Sequence, residues 1–399
     1  MPARYESLDI LRGIAILGIL VMNIQVFAMP WTAYAHPHAF GSMEGIHGWV
    51  WTLSHVFFDT KFYSLFAMLF GAGIALMADR ARTTDRSPTS LHYRRMFWLA
   101  LIGLSHGFLI WYGDILFTYA ICGLFVYLFH RMRPVPLLIL AGIFLAIPVV
   151  IATSFTLTLP YWPEEAIKAM QAIWEPGSRM AIQDLNAYTA GWLTQMPARA
   201  DTYLSVITVG LAVEVFWHAS ALMLLGMALY RLGVITAQQP DRVQAMIAVP
   251  ALIVGFALIL WGMAEISARD WAFPWTKFVG RQFNNVGAPL VAVGYLCLVM
   301  MLCRRPRVTQ RLSALSAVGR TALSNYLLQS LLCTFIFYGH GLGLFGQVER
   351  GGQILVVLLV WAIQLPLSLW WVRRFHYGPV EWLWRAATQW QWPAFRRTV

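Results

Sequence analysis

Charged residues are what this sequence has least of. Only 12% of its 399 residues are Asp, Glu, Lys or Arg, whereas 59% are hydrophobic. A soluble globular domain carries about 25% charged residues. The composition therefore excludes an ordinary soluble protein and predicts an integral membrane protein with many spans.

Cysteine is also scarce, and its placement argues against two kinds of site. The four cysteines lie in or at the ends of apolar segments without any Cys-x-x-Cys pair: Cys122, Cys297, Cys303 and Cys333. This spacing favours neither disulfide bridges nor a zinc site. The sequence also lacks internal repeats and a small-residue cleavage site after its first apolar segment, so we expect that segment to remain as a helix.

Long apolar runs are abundant, and about ten of them are long enough to cross a bilayer as helices. They are 8–29, 47–78, 94–111, 114–131, 135–159, 203–232, 242–264, 284–303, 317–339 and 353–375. We therefore predict an all-α, polytopic membrane protein with about ten transmembrane helices in a single domain, 1–399. Residues 160–202 are expected to form an extracytoplasmic loop with amphipathic helices, and 376–399 a cytoplasmic interfacial tail.

Two of these runs are irregular. The run 47–78 carries Asp59 and Lys61 on either side of Thr60, which predicts a short helix, a break and a second helix. The run 203–232 is also longer than a bilayer requires, and it is expected to tilt or to begin outside the membrane.

Basic residues are distributed unevenly between the two sides of the predicted bundle. The formal net charge is +11, and with the N-terminus placed inside, most of the 29 Lys and Arg residues fall on the inner side. This asymmetry predicts an even number of spans with both termini in the cytoplasm. Because basic inner loops face anionic lipid, the charge gives no reason to expect a nucleic-acid partner.

The first span contains three polar side chains. Asp9 and Arg12 are three residues apart and are expected to pair. Asn23 lies eleven residues beyond Arg12, on the same helix face and about 16 Å further along the axis. One interpretation is an ion pair at the membrane surface with a separate interhelical amide. The other is a polar track from the inner face into the core, where polar groups are commonly functional.

A histidine and an aspartate lie close together in sequence at the end of the third span. His106 is in the outer half of that span, and Asp114 follows at a tight turn that Gly113 permits. A carboxylate within reach of a histidine fixes its tautomer and stabilises the imidazolium, which makes a general base. The alternative is a histidine bonded across helices and an aspartate that caps the next helix.

Other polar clusters have weaker patterns. Asn325 and Gln329 share one face of a helix, with Arg320 at its inner edge, and they either join helices or line a pocket as donors. His38 belongs to an outer His-x-His pair, but no carboxylate or cysteine completes a metal site around it. Glu214 and His218 are one helical turn apart in the run 203–232.

Five ordered motifs resemble the YeiB-like membrane family, known mainly as a domain of unknown function, over nearly the whole chain. They are Leu8-Asp-x-Leu-Arg-Gly, Lys61-Phe-x-x-Leu-Phe-x-x-Leu-Phe-Gly-x-Gly73, Gly103-x-x-His106 with Gly113-Asp-Ile-Leu, Gly319-Arg-x-Ala-Leu-Ser-Asn-Tyr-x-x-Gln329 and Tyr377-Gly-Pro-x-Glu-Trp-x-Trp-Arg385. The first motif is also similar to the opening of the transmembrane acyltransferase superfamily, which includes bacterial sugar O-acyltransferases and the lysosomal heparan glucosaminide acetyltransferase.

The resemblance implies an enzyme of the bacterial inner membrane. Such an enzyme would move an acyl group, typically acetyl, from a cytoplasmic CoA-type donor to an extracytoplasmic or lipid-linked hydroxyl or amine, such as a glycan. The O-acyltransferase branch has a catalytic histidine eleven residues after the arginine of the first motif, where this chain has Asn23. Either a histidine from elsewhere in the chain must then serve, or the chemistry differs. We favour His106, and His38 would match the heparan-type arrangement instead.

This hypothesis assigns a role to each polar cluster. Donor phosphates of acetyl-CoA would be held at the inner mouth by Arg12 with the residues Asp9, Arg94, Arg95 and Arg320 around it. His106, oriented by Asp114, would act as the base. Asn23 or Gln329 would donate to the developing oxyanion, and Asn325, Gln329 and His38 would contact the acceptor.

Two other functional classes remain as alternatives. A transporter would use Asp9, Arg12, Glu214 and His218 as a proton or substrate path, although no inverted repeat supports it. A non-catalytic scaffold or lipid-binding receptor would tolerate loss of His106. Membrane lipids are expected partners in every case, and Gly71 and Gly73 would serve either a homodimer or contacts within the chain.

Overall fold

The computed structural model describes residues 5–81 and 88–397, so the ends of the predicted domain and tail lie outside the described residues. Helices make up most of it. They are α1 (Glu6–Ala28), α2 (Trp31–Ala35), α3 (Ile46–Phe57), α4 (Lys61–Ala81), α5 (Pro88–Leu109), α6 (Leu116–Val126), α7 (Pro134–Thr158), α8 (Glu164–Trp174), α9 (Arg179–Tyr188), α10 (Trp192–Ser205), α11 (Phe216–Arg231), α12 (Asp241–Ala268), α13 (Arg281–Cys303), α14 (Pro306–Arg311), α15 (Ser313–Arg320), α16 (Ala322–Phe337), α17 (Arg350–Arg374) and α18 (Pro379–Gln389).

The all-α, polytopic fold class is confirmed, whereas the number of ten spans is not. Seven helical segments in the described ranges are long and apolar enough to cross a membrane: Glu6–Ala28, Ile46–Arg80, Pro134–Tyr161, Trp192–Arg231, Asp241–Ala268, Thr276–Cys303 and Arg350–Arg374. Leu116–Phe129 and Ala322–Phe337 are apolar but shorter. The remaining predicted span corresponds to α5. Arg94 and Arg95 lie near the start of this helix and lower its mean hydropathy.

Helix α1 lies in the middle of the bundle. It contacts α4, α13, α15, α16 and α17, and 78% of its apolar stretch is buried, against 22% for α12 and for α17. A helix covered on all sides by other helices does not need to be apolar all round. This position explains how α1 carries Asp9, Arg12 and Asn23.

Small residues allow the backbones to approach at the centre. A Cβ atom on Gly13 would lie 2.0 Å from the Leu315 carbonyl oxygen, and one on Gly319 would lie 1.8 Å from the Asp9 carbonyl oxygen. Gly71 is likewise pressed against the backbone of Met223 in α11. Gly71 therefore serves a helix contact within the chain.

The predicted break between Asp59 and Lys61 is confirmed. Helix α3 ends at Phe57, α4 begins at Lys61, and Thr60 between them has a φ of 65°. In the run 203–232, a wide π-type stretch, Val206–Val215, joins α10 to α11. Residues 160–202 contain α8, α9 and most of α10, and Arg199 of α10 is fully buried.

The tail folds back onto the bundle. Helix α18 begins at Pro379, as the sequence predicts, and packs on α5 and α16. Its Trp384 indole donates to the Arg95 carbonyl at 3.0 Å, and Phe375 forms a β-bridge with Arg396. The tail therefore covers the inner ends of two bundle helices.

Candidate functional site

A cavity of about 770 Å³ opens at the basic end of the bundle; we call it the inner cavity. Helices α1, α4, α5, α6, α16 and α18 wall it, with the end of α15. Five arginines lie on its wall: Arg12, Arg80, Arg95, Arg320 and Arg385. Further along the same helices its wall becomes apolar and aromatic, with Ile19, Phe66, Tyr119 and Tyr326. The inner cavity thus joins a cationic mouth to an apolar end.

Three of the four arginines predicted to hold donor phosphates line this cavity together. Arg12 pairs with Asp9 at 3.1 Å, and the Arg95 guanidinium lies 4.8 Å from the Trp384 ring centroid. Arg320 ends helix α15 beside them. Arg94 is not on the cavity wall; its Nε donates to the Ser90 carbonyl on the outer surface of α5.

The cavity wall also holds an unsatisfied polar atom. The His92 ring stacks on Tyr127 with centroids 4.2 Å apart, and its Nε2 lies 3.0 Å from the Gly123 carbonyl. The buried Nδ1 has no hydrogen-bond partner among the described residues. An unpaired buried polar atom costs about 1–3 kcal/mol, so it is a natural contact for a bound ligand or water.

His106 and Asp114 are in direct contact, as the sequence hypothesis requires. The His106 Nδ1 lies 2.8 Å from Asp114 Oδ1, and both side chains are almost fully buried. The second carboxylate oxygen of Asp114 accepts the Phe117 N–H at 2.8 Å and the Tyr203 hydroxyl at 3.4 Å. Asp114 therefore contacts both the histidine and the first turn of α6.

The other nitrogen of His106 contacts a residue that the sequence reasoning missed. Its Nε2 lies 2.9 Å from Ser330 Oγ, and Ser330 is 1% exposed. Serine, histidine and aspartate are thus connected in a single hydrogen-bonded row. Ser330 directly follows Gln329 of the fourth motif, but it lies 224 residues from His106, so only the fold brings the two together.

Tyr326 separates this row from the inner cavity. Its side chain lines the cavity, and its ring centroid lies 5.2 Å from that of His106. Its hydroxyl donates to the Gly113 carbonyl at 3.2 Å and accepts the Ile115 N–H at 3.3 Å. The apolar end of the cavity therefore meets the histidine across a single aromatic ring.

Asn23 continues the cavity-facing side of α1. Arg12, Ile16 and Ile19 line the inner cavity, and Asn23 follows Ile19 by one turn on the same face. It is half-buried, and its side chain makes no hydrogen bond with another described residue. Its neighbour Met22 lines a different, outer cavity. Asn23 thus lies between the two spaces without being on the wall of either.

Asn325 and Gln329 act between helices. The Asn325 amide donates to Ser368 at 2.9 Å and its oxygen accepts from Gln364 at 3.0 Å. Gln329 donates to the Ile16 carbonyl at 3.2 Å and to Gln364 at 3.0 Å. These contacts tie α16 to α1 and α17, and neither amide lines the inner or the outer cavity.

The outer cavity, of about 70 Å³, contains a polar network that the sequence did not reveal. His55 Nδ1 lies 2.9 Å from Asp59, which also accepts from Tyr34 at 2.9 Å and from Asn284 at 3.0 Å. Lys61 donates to Asn284 at 2.7 Å. The i,i+4 spacing of histidine and aspartate was the available sequence signal, although Asn284 is 225 residues from Asp59.

The outer histidines and the Glu214 pair lie near this network. The His36 ring stacks on Trp174, and burial lowers the pKa of the His36 imidazole. The exposed His38 has its ring 5.5 Å from Trp271. His218 Nε2 lies 3.1 Å from the Asn285 carbonyl, and Glu214 accepts from the Asn285 amide at 2.9 Å. The described residues contain no group of three or more His, Cys, Asp or Glu placed to hold a metal ion.

Comparisons with known proteins agree on one family. The model of a protein family of unknown function, DUF418, matches residues 229–391. The chain is 32% identical to the uncharacterized protein YeiB of Escherichia coli over 96% of both chains. It is also 32% identical to the uncharacterized protein YxaH of Bacillus subtilis, over 99% of this chain and 97% of that protein. These relatives are bacterial and match from end to end.

Proposed function

Because the chain belongs to the YeiB-like, DUF418 family of membrane proteins, we propose that it is a membrane acyltransferase with its donor site in the inner cavity. It would transfer an acyl group, in particular acetyl, from acyl-CoA at the cytoplasmic face of the bacterial inner membrane. The acceptor would be a hydroxyl or amine on an extracytoplasmic or lipid-linked molecule, such as a glycan. The observation that carries this proposal is one cavity with a cationic mouth and an apolar end beside His106.

The mouth suits the polar end of the donor. Arg12, Arg95 and Arg320 bring positive charge to one wall, and arginine matches phosphate oxygens with paired N–H donors. A volume of about 770 Å³ is within the range of about 300–1,000 Å³ for ligand sites. The apolar wall beyond the mouth suits a pantetheine arm and an acyl chain.

The deep end offers the chemistry. Asp114 holds His106 Nδ1 at 2.8 Å and so directs the basic lone pair of the neutral ring to Nε2. A positioned base of this kind contributes about 10²–10⁴-fold to a proton-transfer step. Asn23 follows Ile19 of the cavity wall by one helical turn, and its side chain makes no hydrogen bond among the described residues. In this proposal it reaches the deep end and donates to an oxyanion.

The test compares arginines on and off the cavity wall. In purified protein, Arg12→Ala and Arg320→Ala should each weaken CoA binding at least tenfold, which corresponds to about 1.4 kcal/mol. Arg94→Ala is the matched control, because Arg94 is on α5 but not on the wall. Isothermal titration calorimetry measures the affinity of each variant for CoA and for acetyl-CoA. Equal affinity in all three variants would contradict a donor site here.

Transport is a second candidate, favoured by the presence of a cavity toward each end of α1. The inner cavity contains Arg12 and the outer one contains Met22, with Asn23 near both. A transporter would accumulate substrate in sealed vesicles without consuming acyl-CoA. An acyltransferase would release free CoA thiol, and His106→Ala would abolish that release. Thiol release and uptake measured on the same vesicles separate the two functions.

A further inference from the structure

We propose that Ser330 is the nucleophile of this transfer and carries the acyl group as a serine ester between donor and acceptor. The inference deepens the proposed function and rests on it. Ser330 Oγ lies 2.9 Å from His106 Nε2, whose ring is held by Asp114 at 2.8 Å on the other side. This is the order of groups that activates a serine hydroxyl.

The direction of the hydrogen bonds assigns the proton. Asp114 accepts the Nδ1–H of His106 through Oδ1, since its other oxygen already accepts the Phe117 N–H and the Tyr203 hydroxyl. The Nε2 atom then presents its lone pair to the Ser330 hydroxyl at 2.9 Å. The hydroxyl also lies 3.4 Å from the Tyr326 carbonyl of its own helix, and we assign its proton to the shorter contact with Nε2. The first proton within reach of His106 is therefore that of Ser330, not that of an external acceptor.

The row is held firmly enough to keep this arrangement. Asp114 is fixed by the Phe117 N–H and the Tyr203 hydroxyl. The residues His106, Asp114 and Ser330 are 2%, 3% and 1% exposed. Exclusion of bulk water would protect a serine ester from hydrolysis until an acceptor arrives.

The reaction balances in two halves. In the first, His106 takes the Ser330 proton, Oγ attacks the thioester carbonyl, the C–S bond breaks, and the leaving thiolate receives the proton from His106. In the second, His106 takes a proton from the acceptor hydroxyl or amine. The acceptor attacks the serine ester, and Ser330 leaves and recovers its proton. The sum is one acyl group moved and one free CoA thiol formed.

The donor end of the cavity is close to this serine. Tyr326 lines the cavity, and Ser330 follows it by four residues on α16, about 6 Å along the axis. Tyr326 is held by two hydrogen bonds, to Gly113 and from Ile115. The proposal requires this side chain to turn aside so that the thioester reaches Ser330.

The experiment traps the ester. Full-length purified protein is mixed with acetyl-CoA or, separately, with p-nitrophenyl acetate, an activated ester that reports on the serine without any CoA site. Peptide mass spectrometry after acid quench should find acetyl on Ser330 with both reagents. Ser330→Ala and His106→Ala should lose the adduct. Ser330→Cys should give a thioester that neutral hydroxylamine cleaves.

Thr334→Val is the matched control. Thr334 is one turn further along α16, is buried, and its hydroxyl bonds the Leu331 carbonyl of its own helix. Its loss removes a buried hydroxyl from α16 without touching the row, so the Ser330 adduct should form at the wild-type rate. A folding defect in Ser330→Ala would be recognised by comparing its melting temperature with that of Thr334→Val.

Each outcome decides something. An adduct on Ser330 with p-nitrophenyl acetate alone supports the nucleophile and contradicts CoA as the donor. Equal CoA release by wild type and Ser330→Ala, with no adduct, overturns the nucleophile and leaves the acyltransferase intact with direct transfer. No adduct with either reagent, and no CoA release, overturns both proposals.

Discussion

At the scale of single residues, Asp114 is the most informative position. An asparagine there would keep its oxygen toward the Phe117 N–H, now bonded at 2.8 Å, and turn its amide N–H toward His106. The histidine would then carry its proton on Nε2 and would be unable to accept another. We expect Asp114→Asn to lower CoA-thiol release by about 10²–10⁴-fold.

The measurement for Asp114→Asn is the rate of thiol release together with the melting temperature. Because the asparagine still caps α6, the melting temperature should change by only a few degrees. A variant that retains the wild-type rate would show that the His106–Asp114 contact serves only to join the α5–α6 turn.

Asp184 gives a pH-dependent prediction outside the membrane spans. It accepts the Trp31 N–H at 3.1 Å, and its burial raises its pKa to about 6. The folded form therefore favours the protonated acid more than the unfolded form does. Wild-type stability should be unaffected below about pH 4, fall between pH 4 and 6, and stay lower above pH 6, by about 1–3 kcal/mol.

Asp184→Asn tests this prediction. The amide is never ionised and can still accept the Trp31 N–H, so the variant should be more stable than wild type at pH 7 and equal to it near pH 4. Thermal unfolding followed across pH 4–8 measures the difference. A constant difference at all pH values would assign the effect to packing instead of ionisation.

These residues show what sequence predicts and what it does not. The His106–Asp114 contact was predictable, because the two residues flank one tight turn. Ser330 was not, because nothing in α16 distinguishes a serine bonded to His106 from any other helical serine. The bond between Asp59 and Asn284 was hidden for the same reason, since its partners are 225 residues apart.

At the scale of helices, the contact between α1 and α15 should tolerate little change. A Cβ atom on Gly319 would lie 1.8 Å from the Asp9 carbonyl oxygen, and backbone cannot move aside as a flexible side chain can. Gly319→Val would push α15 away from α1 and displace Arg320 from the cavity mouth. We expect a loss of about 3 kcal/mol or more in stability.

The control for Gly319→Val is Gly142→Ala. Gly142 is in α7, where an added Cβ would meet nothing within 4 Å, and alanine favours a helix by about 1 kcal/mol. Fluorescence-detected size exclusion and thermal unfolding should show a destabilised Gly319→Val and a normal Gly142→Ala. Equal behaviour of the two would mean that α1 and α15 can separate without cost.

Helix boundaries were predictable where a charged residue interrupts an apolar run. They were less predictable where only the length of a run indicates whether it spans the membrane. Asp59 and Lys61 marked the break between α3 and α4, and Pro379 marked the start of α18. The count of spans was harder, because α6 is only 11 residues long and α16 only 16. Such helices are placed by packing in the bundle, which periodicity does not report.

At the scale of the whole molecule, the distribution of basic residues predicts the orientation of the bundle in the membrane. The arginine-lined mouth of the inner cavity lies on the same side as the basic loops, and loops rich in Lys and Arg stay in the cytoplasm. The donor site would then face the compartment that contains acyl-CoA. The reverse orientation would place it away from any donor, so topology is a test of function.

Two exposed positions make this test direct. Tyr161, 87% exposed, follows the end of α7 that is predicted to be outside, and the exposed Arg307 lies in α14 on the basic side. The native cysteines Cys122, Cys297 and Cys333 are buried, and Cys303 is replaced by serine because it is half-buried. In intact cells a membrane-impermeant maleimide should label Tyr161→Cys at once, whereas Arg307→Cys should be labelled only after lysis. Labelling of Arg307→Cys from outside would put the arginine mouth opposite the acyl-CoA pool and contradict the acyltransferase proposal without affecting the fold.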